Sequence, residues 1–482
     1  MEMFLCREKE LSILNERYQK RGLECVVIYG RRRMGKTALI NEFVKDKPTI
    51  YFPALNTNAK GNLAAFSKTV HLYMHPDVAE SPVYRSFDDV FSEITRIARS
   101  SERVILVIDE LPYLAKSDDS IPSRLQHLLD HEWAETGLFL ILCGSSMSFM
   151  EKEILSEKGP LFGRSTALLE IEPLSYLETA RFHPELSSHE NALIYGITGG
   201  VPHYINKLDV RGSIKEALLE NLFNPSSYLF EEPENLLKQE LRELPIYNAI
   251  LTVIANGATR QFDIGDKAGI ERNVCSKYLQ VLCELGIIHK AEPIVNQSSG
   301  QMIYRKTVYR ITNHFLRFWY SFVPRNMLAI TSGTIERTYE TAVESYLSAY
   351  MGLIFEDICR QYLILHPEKL PFPIADIGAW WGRQPGRHKE GPKEVKVDIV
   401  AVGAKENNEH ERQFIIGSCK HRNEEIGVDE WHLLLDYASV FTNGDDDCYY
   451  IIFSKSGFTK GLKELADNGK VTLIGLDEIY NA

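Results

Sequence analysis

The run Gly30–Thr37, GRRRMGKT, constrains this chain more than any other feature. It satisfies G-x-x-x-x-G-K-[ST] at every fixed position. An apolar segment, Cys25–Tyr29, leads into it, and Ala38–Val44 continues as a helix. Phosphate chemistry needs this strand–loop–helix context, because backbone N–H groups of a glycine-rich loop and of a helix N-terminus wrap the phosphates. Gly30 and Gly35 leave the loop backbone free to approach them. Lys36 is expected to reach the β- and γ-phosphates and the Thr37 hydroxyl to bind Mg2+. The cofactors expected on this ground are ATP and Mg2+.

The other half of such a site is VILVIDELPYL, Val104–Leu114, an apolar strand that ends in Asp109–Glu110. Asp109 is expected in the Mg2+ shell. Glu110 is placed to orient and deprotonate an attacking water. A further strand, FLILCGSS, ends in Ser145 and Ser146, and Ser145 at its tip could sense the γ-phosphate. Arg164, in PLFGRST, could bring charge to the phosphates in cis or to a neighbouring subunit; an ordinary surface arginine is the other reading. The triplet Arg31–Arg33 reads as solvated or partner-facing charge.

The five segments Cys25–Tyr29, Thr49–Pro53, Val104–Asp109, Phe139–Gly144 and Ala167–Ile171 read as buried strands with helical periodicity between most of them. Buried strands alternating with helices imply an α/β domain with a parallel sheet covered on both faces. Beyond Pro173 the pattern is mostly helical up to about Glu240. From Leu244 it reads helix, helix, turn at Gly269, helix (Arg272–Leu285), then two short strands, the order of a winged helix-turn-helix. The aromatic run His314–Arg325 reads as a packing segment. Thr341–His366 reads as helix, and Lys393–Val402, Gln413–Cys419 and Asp447–Phe453 as strands of a smaller α/β domain. The expected division is 1–172 for the P-loop core, 173–243 for a helical lid, 244–325 for the winged helix and 326–482 for the last domain.

The chain has 482 residues and a net charge of -12, which argues against coating nucleic acid by bulk charge. Its eight cysteines include no CxxC pair, so buried thiols in a reducing compartment are expected and a structural zinc site is not. The N-terminal MEMFLCREKEL carries charges where a signal peptide needs an apolar core, and no apolar stretch is long enough to span a bilayer. A cytoplasmic protein with no membrane partner is expected.

FLCREKEL (Phe4–Leu11), GRRRMGKT, VIDELPYL, LCGSSMSFM, PLFGRS, TGGVPHYI and ITNHFLRFWYSF together resemble the archaeal-type ATPases of the AAA+/STAND group. These are prokaryotic proteins with an ATPase module, a winged helix and a C-terminal domain of restriction-endonuclease type. The resemblance implies that Phe4 and Arg7 lie near the adenine pocket and that Gly200–Pro202 lies in a helical lid near the nucleotide.

Between Thr259 and Arg310 eight Lys/Arg face five Asp/Glu, a local balance of +3. That permits DNA contact along Arg272–Leu285 and equally permits a protein-facing role. In the last domain the resemblance implies a nuclease layout: Glu356 on a helix, Asp398 on a strand, Lys420 at the end of GSCK. Two departures count against the chemistry. Ser418 stands where a metal-binding Glu is expected, and Lys396 stands two before Asp398, on the same strand face. Glu394 or Glu411 could substitute only from a shifted position. The expected activity is therefore slow Mg2+-dependent ATP hydrolysis driving a switch that is associated with DNA. A nucleotide-gated protein-assembly scaffold, as a homo-oligomer or with a partner protein, is the alternative, and an ATP-regulated nuclease is the third reading.

Overall fold

The computed structural model describes residues 4–78, 81–294, 307–384, 393–403, 413–442 and 446–481. Backbone contacts divide the chain into two compact units, one of Met1–Leu174 with Val201–His203, the other of Ser175–Gly200 with Tyr204–Ala482.

In the first unit, strands β1 (Glu24–Tyr29), β2 (Thr49–Pro53), β3 (Val104–Asp109), β4 (Leu138–Gly144) and β5 (Ala167–Glu170) form one sheet in the order β2-β3-β4-β1-β5. Every pairing is parallel. All residues of β3 and β4 are buried, which explains their uninterrupted apolar sequence. One covering helix, Phe87–Ser100, starts at a capping box in which Ser86 and Asp89 satisfy each other's backbone N–H. It buries Phe87, Val90, Phe91, Ile94 and Ile97 along one face. Behind it the indole N–H of Trp133 donates to Thr95 Oγ1 at 2.9 Å, so this fully buried tryptophan leaves no polar atom unsatisfied.

The second unit opens with the helices Tyr176–Ala180, Ser188–Thr198, Ile214–Asn221 and Tyr228–Lys238. The helices Leu244–Ala255, Gln261–Ala268 and Arg272–Glu284 follow, then the antiparallel pair β6 (Ile288–Ala291) and β7 (Val308–Ile311). Gly269 caps the helix Gln261–Ala268 at φ 67°, a left-handed conformation that glycine adopts without strain. Arg305 and Lys306, counted above in the basic balance, lie outside the described residues, as does Glu411. The aromatic run forms the helix His314–Phe322 and packs inward. Its Trp319 donates to the Phe230 carbonyl at 2.9 Å and its Tyr320 to Asn248 Oδ1 at 2.6 Å.

The unit ends in a mixed sheet of β8 (Ile374–Gln384), β9 (Lys393–Gly403), β10 (Gln413–Lys420), β11 (Asp447–Ser454) and β12 (Thr472–Gly475), ordered β12-β11-β10-β9-β8. The strands β10, β11 and β12 run parallel, and β9 runs antiparallel to both of its neighbours. The helix Ser345–Leu365 packs on β9 and β10, and Val428–Ala438 covers the same two strands. Among the described residues no helix is long and apolar enough to cross a membrane.

Candidate nucleotide site and C-terminal carboxylate cluster

The loop between β1 and the helix Lys36–Val44 takes its shape from two glycines. Gly30 sits at φ 145°, and a Cβ there would lie 2.5 Å from the Ile171 carbonyl oxygen, so no other residue fits. Gly35 sits at φ 85° with the ring of Pro202 beside it: a Cβ on Gly35 would lie 3.8 Å from Pro202 Cγ. Pro202 is thus beside the loop. Lys36 is buried and donates to the carbonyls of Gly30 and Arg31, each at 2.8 Å. Burial pulls its ammonium below the usual lysine range.

The tip of β3 meets this loop. Thr37 Oγ1 donates to Asp109 Oδ2 at 3.2 Å, and the Tyr51 hydroxyl donates to the same oxygen at 2.7 Å. Burial and the nearby Asp109 raise the Tyr51 phenol well above its ordinary range, so it stays a proton donor. The sequence reading missed Tyr51. It lies on β2, and only the sheet order, which puts β2 beside β3 with Pro53 opposite Asp109, brings it to the carboxylate. Cys143, near the end of β4, is also beside Asp109, and burial pushes its thiol up.

Glu110 adopts φ 58°, ψ 50°, the left-handed region, at the turn into the helix Leu111–Ser117. Its Oε2 accepts from the Ser145 hydroxyl at 2.9 Å and from the Ser145 backbone N–H at 3.3 Å. Lys36, Thr37, Asp109, Glu110 and Ser145 therefore gather at the ends of β1, β3 and β4. Hard oxygen donors from Thr37 and Asp109 suit Mg2+.

Two further arginines singled out in the sequence are engaged within the protein. Arg164 forms a two-pronged pair with Asp130, both bonds 2.8 Å, and also donates to the Phe162 carbonyl, so its guanidinium is engaged away from the loop residues. Arg7 is buried and donates to the carbonyls of Met34 and Glu172, with Glu10 as its ion-pair partner. It clamps the N-terminal segment onto the phosphate loop. Phe4 is half-buried at the start of the described chain. The arginine triplet is not simply solvated either: Arg32 donates to the Tyr113 hydroxyl at 2.6 Å, and burial lowers Arg31 below the usual guanidinium range.

In the second unit, Glu356, Asp398 and Lys420 do come together, with two lysines threaded between the carboxylates. Lys396 Nζ lies 2.5 Å from Glu356 Oε1 and 3.1 Å from Asp398 Oδ1. Lys420 Nζ lies 4.0 Å from Asp398 Oδ2 and 3.0 Å from Glu430 Oε1. Burial and then the Asp398 charge push the Glu356 carboxyl up. Glu430 corrects the sequence reading. The helix Val428–Ala438 brings its carboxylate to Ser418, whose hydroxyl donates to Glu430 Oε1 at 2.7 Å. A carboxylate from a neighbouring helix thus lies beside that serine. Lys396 still counts against a divalent cation there, because its ammonium occupies the gap between Glu356 and Asp398. Among the described residues no three His, Cys, Asp or Glu side chains are arranged to hold a metal. Divalent-metal chemistry does not fit this cluster as it stands.

Residues 4–208 match a family described as an ATPase domain predominantly from Archaea. Residues 319–430 match a family of archaeal and bacterial proteins of unknown function. The chain is 28% identical over 480 residues to an uncharacterized protein of Methanocaldococcus jannaschii, covering 99% of this chain and 100% of that one. It is 40% identical over 45 residues to an uncharacterized ATP-binding protein of the same organism, covering 9% of this chain and 76% of that one. Among solved structures, the Walker-type ATPase of Pyrococcus abyssi aligns at TM-score 0.50 and 19% identity, over 66% of this chain and 96% of that one. The loop geometry above and the match over residues 4–208 both point to an ATPase domain of the P-loop type.

Proposed function

We propose that this chain binds ATP with Mg2+ and hydrolyses it slowly, using the bound nucleotide as a switch. The observation that carries the reading is the convergence of Lys36, Thr37 and Asp109 at the phosphate loop with a Glu110 carboxylate beside them. Thr37 and Asp109 would hold Mg2+, which would offset the negative charge of the phosphates. Lys36 binds and orients the phosphates. Glu110 takes the proton of the attacking water, and Ser145 holds Glu110 by hydroxyl and backbone together. Hydrolysis is slow in this reading because Arg164 is paired with Asp130 rather than aimed at the phosphates.

The output is assigned to the segment 244–325, within the division 1–172, 173–243, 244–325 and 326–482 already described. Its helix Arg272–Glu284 leaves Arg272, Asn273, Ser276 and Lys277 exposed, while Cys275, Leu279 and Leu282 anchor it. That is the disposition of a recognition helix in a winged helix-turn-helix, and DNA is the partner it suits. The protein-assembly scaffold remains the competing reading. The third reading, an ATP-regulated nuclease, is favoured by Glu430 beside Ser418 and opposed by Lys396.

The test is DNA binding by the full chain with and without ATP·Mg2+, at two salt concentrations, alongside ATP titration of the parent and Lys36→Ala. The reading expects Lys36→Ala to lose ATP binding and the ATP effect on DNA together, with affinity falling as salt rises. DNA affinity indifferent to ATP removes the switch. Absent DNA binding under every condition moves the output to protein assembly.

A further inference from the structure

A cavity of about 270 Å³ lies within the second unit, far in sequence from the phosphate loop. His189, Lys215, Ser348, His421, Asn423 and Lys455 contribute its polar lining. Lys455 donates to Asn423 Oδ1 at 2.8 Å, and among the described residues its ammonium has no carboxylate partner. Burial holds it below the usual lysine range. An ammonium partly withdrawn from water with no counter-charge is a costly arrangement unless an anion joins it.

The two histidines carry the same message. His421 is only 7% exposed, and among the described residues neither of its ring nitrogens has a hydrogen-bond partner of good geometry. Nδ1 of His189 is buried without a partner as well, and the two rings stack at 6.0 Å and 22°. Burial first, and then Lys455 and His189, push His421 down to about 4. The backbones of Ser348 and of His421 itself act weakly the other way. Burial and Lys455 also lower His189, with Glu190 in opposition. Both rings are thus neutral near pH 7, each with a buried nitrogen that lacks a partner of good geometry. Lys215 stands at the rim, 3.8 Å from Glu340. Glu344, the one carboxylate among the described lining residues, is exposed.

We propose that the cavity walled by His189, His421 and Lys455 is an oxyanion site that takes a phosphate group. Its volume admits a phosphate and the small group carrying it. An anion supplies the charge Lys455 lacks and accepts from the imidazole N–H groups. Two sources share this chemistry: the terminal phosphate of a nucleic acid and a phosphorylated small molecule.

Isothermal titration of the full chain tests it, in a Lys36→Ala background so that the phosphate loop contributes little. Inorganic phosphate is expected to bind one site, about tenfold or more weakly in Lys455→Met, with binding retained in Lys455→Arg. Sulfate, whose own charge is constant, is expected to bind more tightly as the pH falls from about 7 to about 5, because the anion favours protonated His421. His421→Gln is expected to flatten that dependence. A 5′-phosphorylated dinucleotide binding better than a sugar phosphate assigns the site to nucleic-acid ends, and the reverse order assigns it to a metabolite. No phosphate binding in the Lys36→Ala background overturns the proposal. So does a Lys455→Met chain that binds as its background does.

Discussion

The Ser145 hydroxyl donates to Oε2 of Glu110 at 2.9 Å, and the Ser145 backbone N–H donates to the same oxygen at 3.3 Å. One strand tip thereby fixes the carboxylate that the neighbouring strand delivers. Removing the hydroxyl leaves the backbone bond, whereas removing the charge takes away the proposed base. Glu110→Gln should keep ATP and slow its hydrolysis by about 10²–10⁴-fold. Ser145→Ala should fall between that variant and the parent. Single-turnover hydrolysis with prebound ATP measures both. A Glu110→Gln chain at parental rate would place the base elsewhere.

Tyr51 shares Asp109 Oδ2 with Thr37. Tyr51→Phe keeps the ring and deletes only the donor. The carboxylate is then less firmly aimed, and the Mg2+ needed for half-maximal ATP hydrolysis should rise by about tenfold. ATP affinity without Mg2+ should change little. An unchanged Mg2+ requirement would reduce Tyr51 to a strand packing residue.

Arg272 and Lys277 are exposed on the helix Arg272–Glu284. Reversing both charges should weaken DNA binding at every sequence and lower the salt slope by about two. Fluorescence anisotropy at several salt concentrations reads the slope. Parental behaviour in the double variant would show that these side chains are only solvated.

The parent chain should not nick plasmid DNA with Mg2+ or Mn2+. Lys396 bridges Glu356 and Asp398, and burial already raises the Glu356 carboxyl. Lys396→Ala removes that internal cation and leaves Glu356, Asp398 and Glu430 to attract another. Nicking that appears in Lys396→Ala and vanishes when Asp398→Ala is added would identify a nuclease silenced by a lysine. Nicking by the parent that is lost in Asp398→Ala would overturn this account.

The phosphate loop and the five strands of the first sheet were legible because both are local: a fixed spacing and apolar runs bounded by turns. Tyr51 was not, because its role depends on which strand lies beside β3, and strand order is a property of the whole sheet. Glu430 escaped for a similar reason. The sequence reading sought a carboxylate on the strand itself, whereas a helix start after β10 supplies it to Ser418. The strand Ile374–Gln384 went unread because its pairing with β9 shifts register twice, between Ile374 and Asp376 and between Gly378 and Trp380, which blurs the alternation of buried and exposed residues. Lys396 was read correctly as sharing a face with Asp398; its second contact, to Glu356 on a distant helix, was beyond the reach of spacing.

The left-handed backbone of Glu110 sets durability and chemistry against each other at one position. An L-residue with a long side chain gives up about 1–2 kcal/mol to sit there, and glycine gives up almost none. Glu110→Gly should therefore melt no lower than the parent while losing turnover. Selection for thermal resistance alone, applied to a library at this site, would drift toward glycine and, in the proposed reading, would discard the base that activates water.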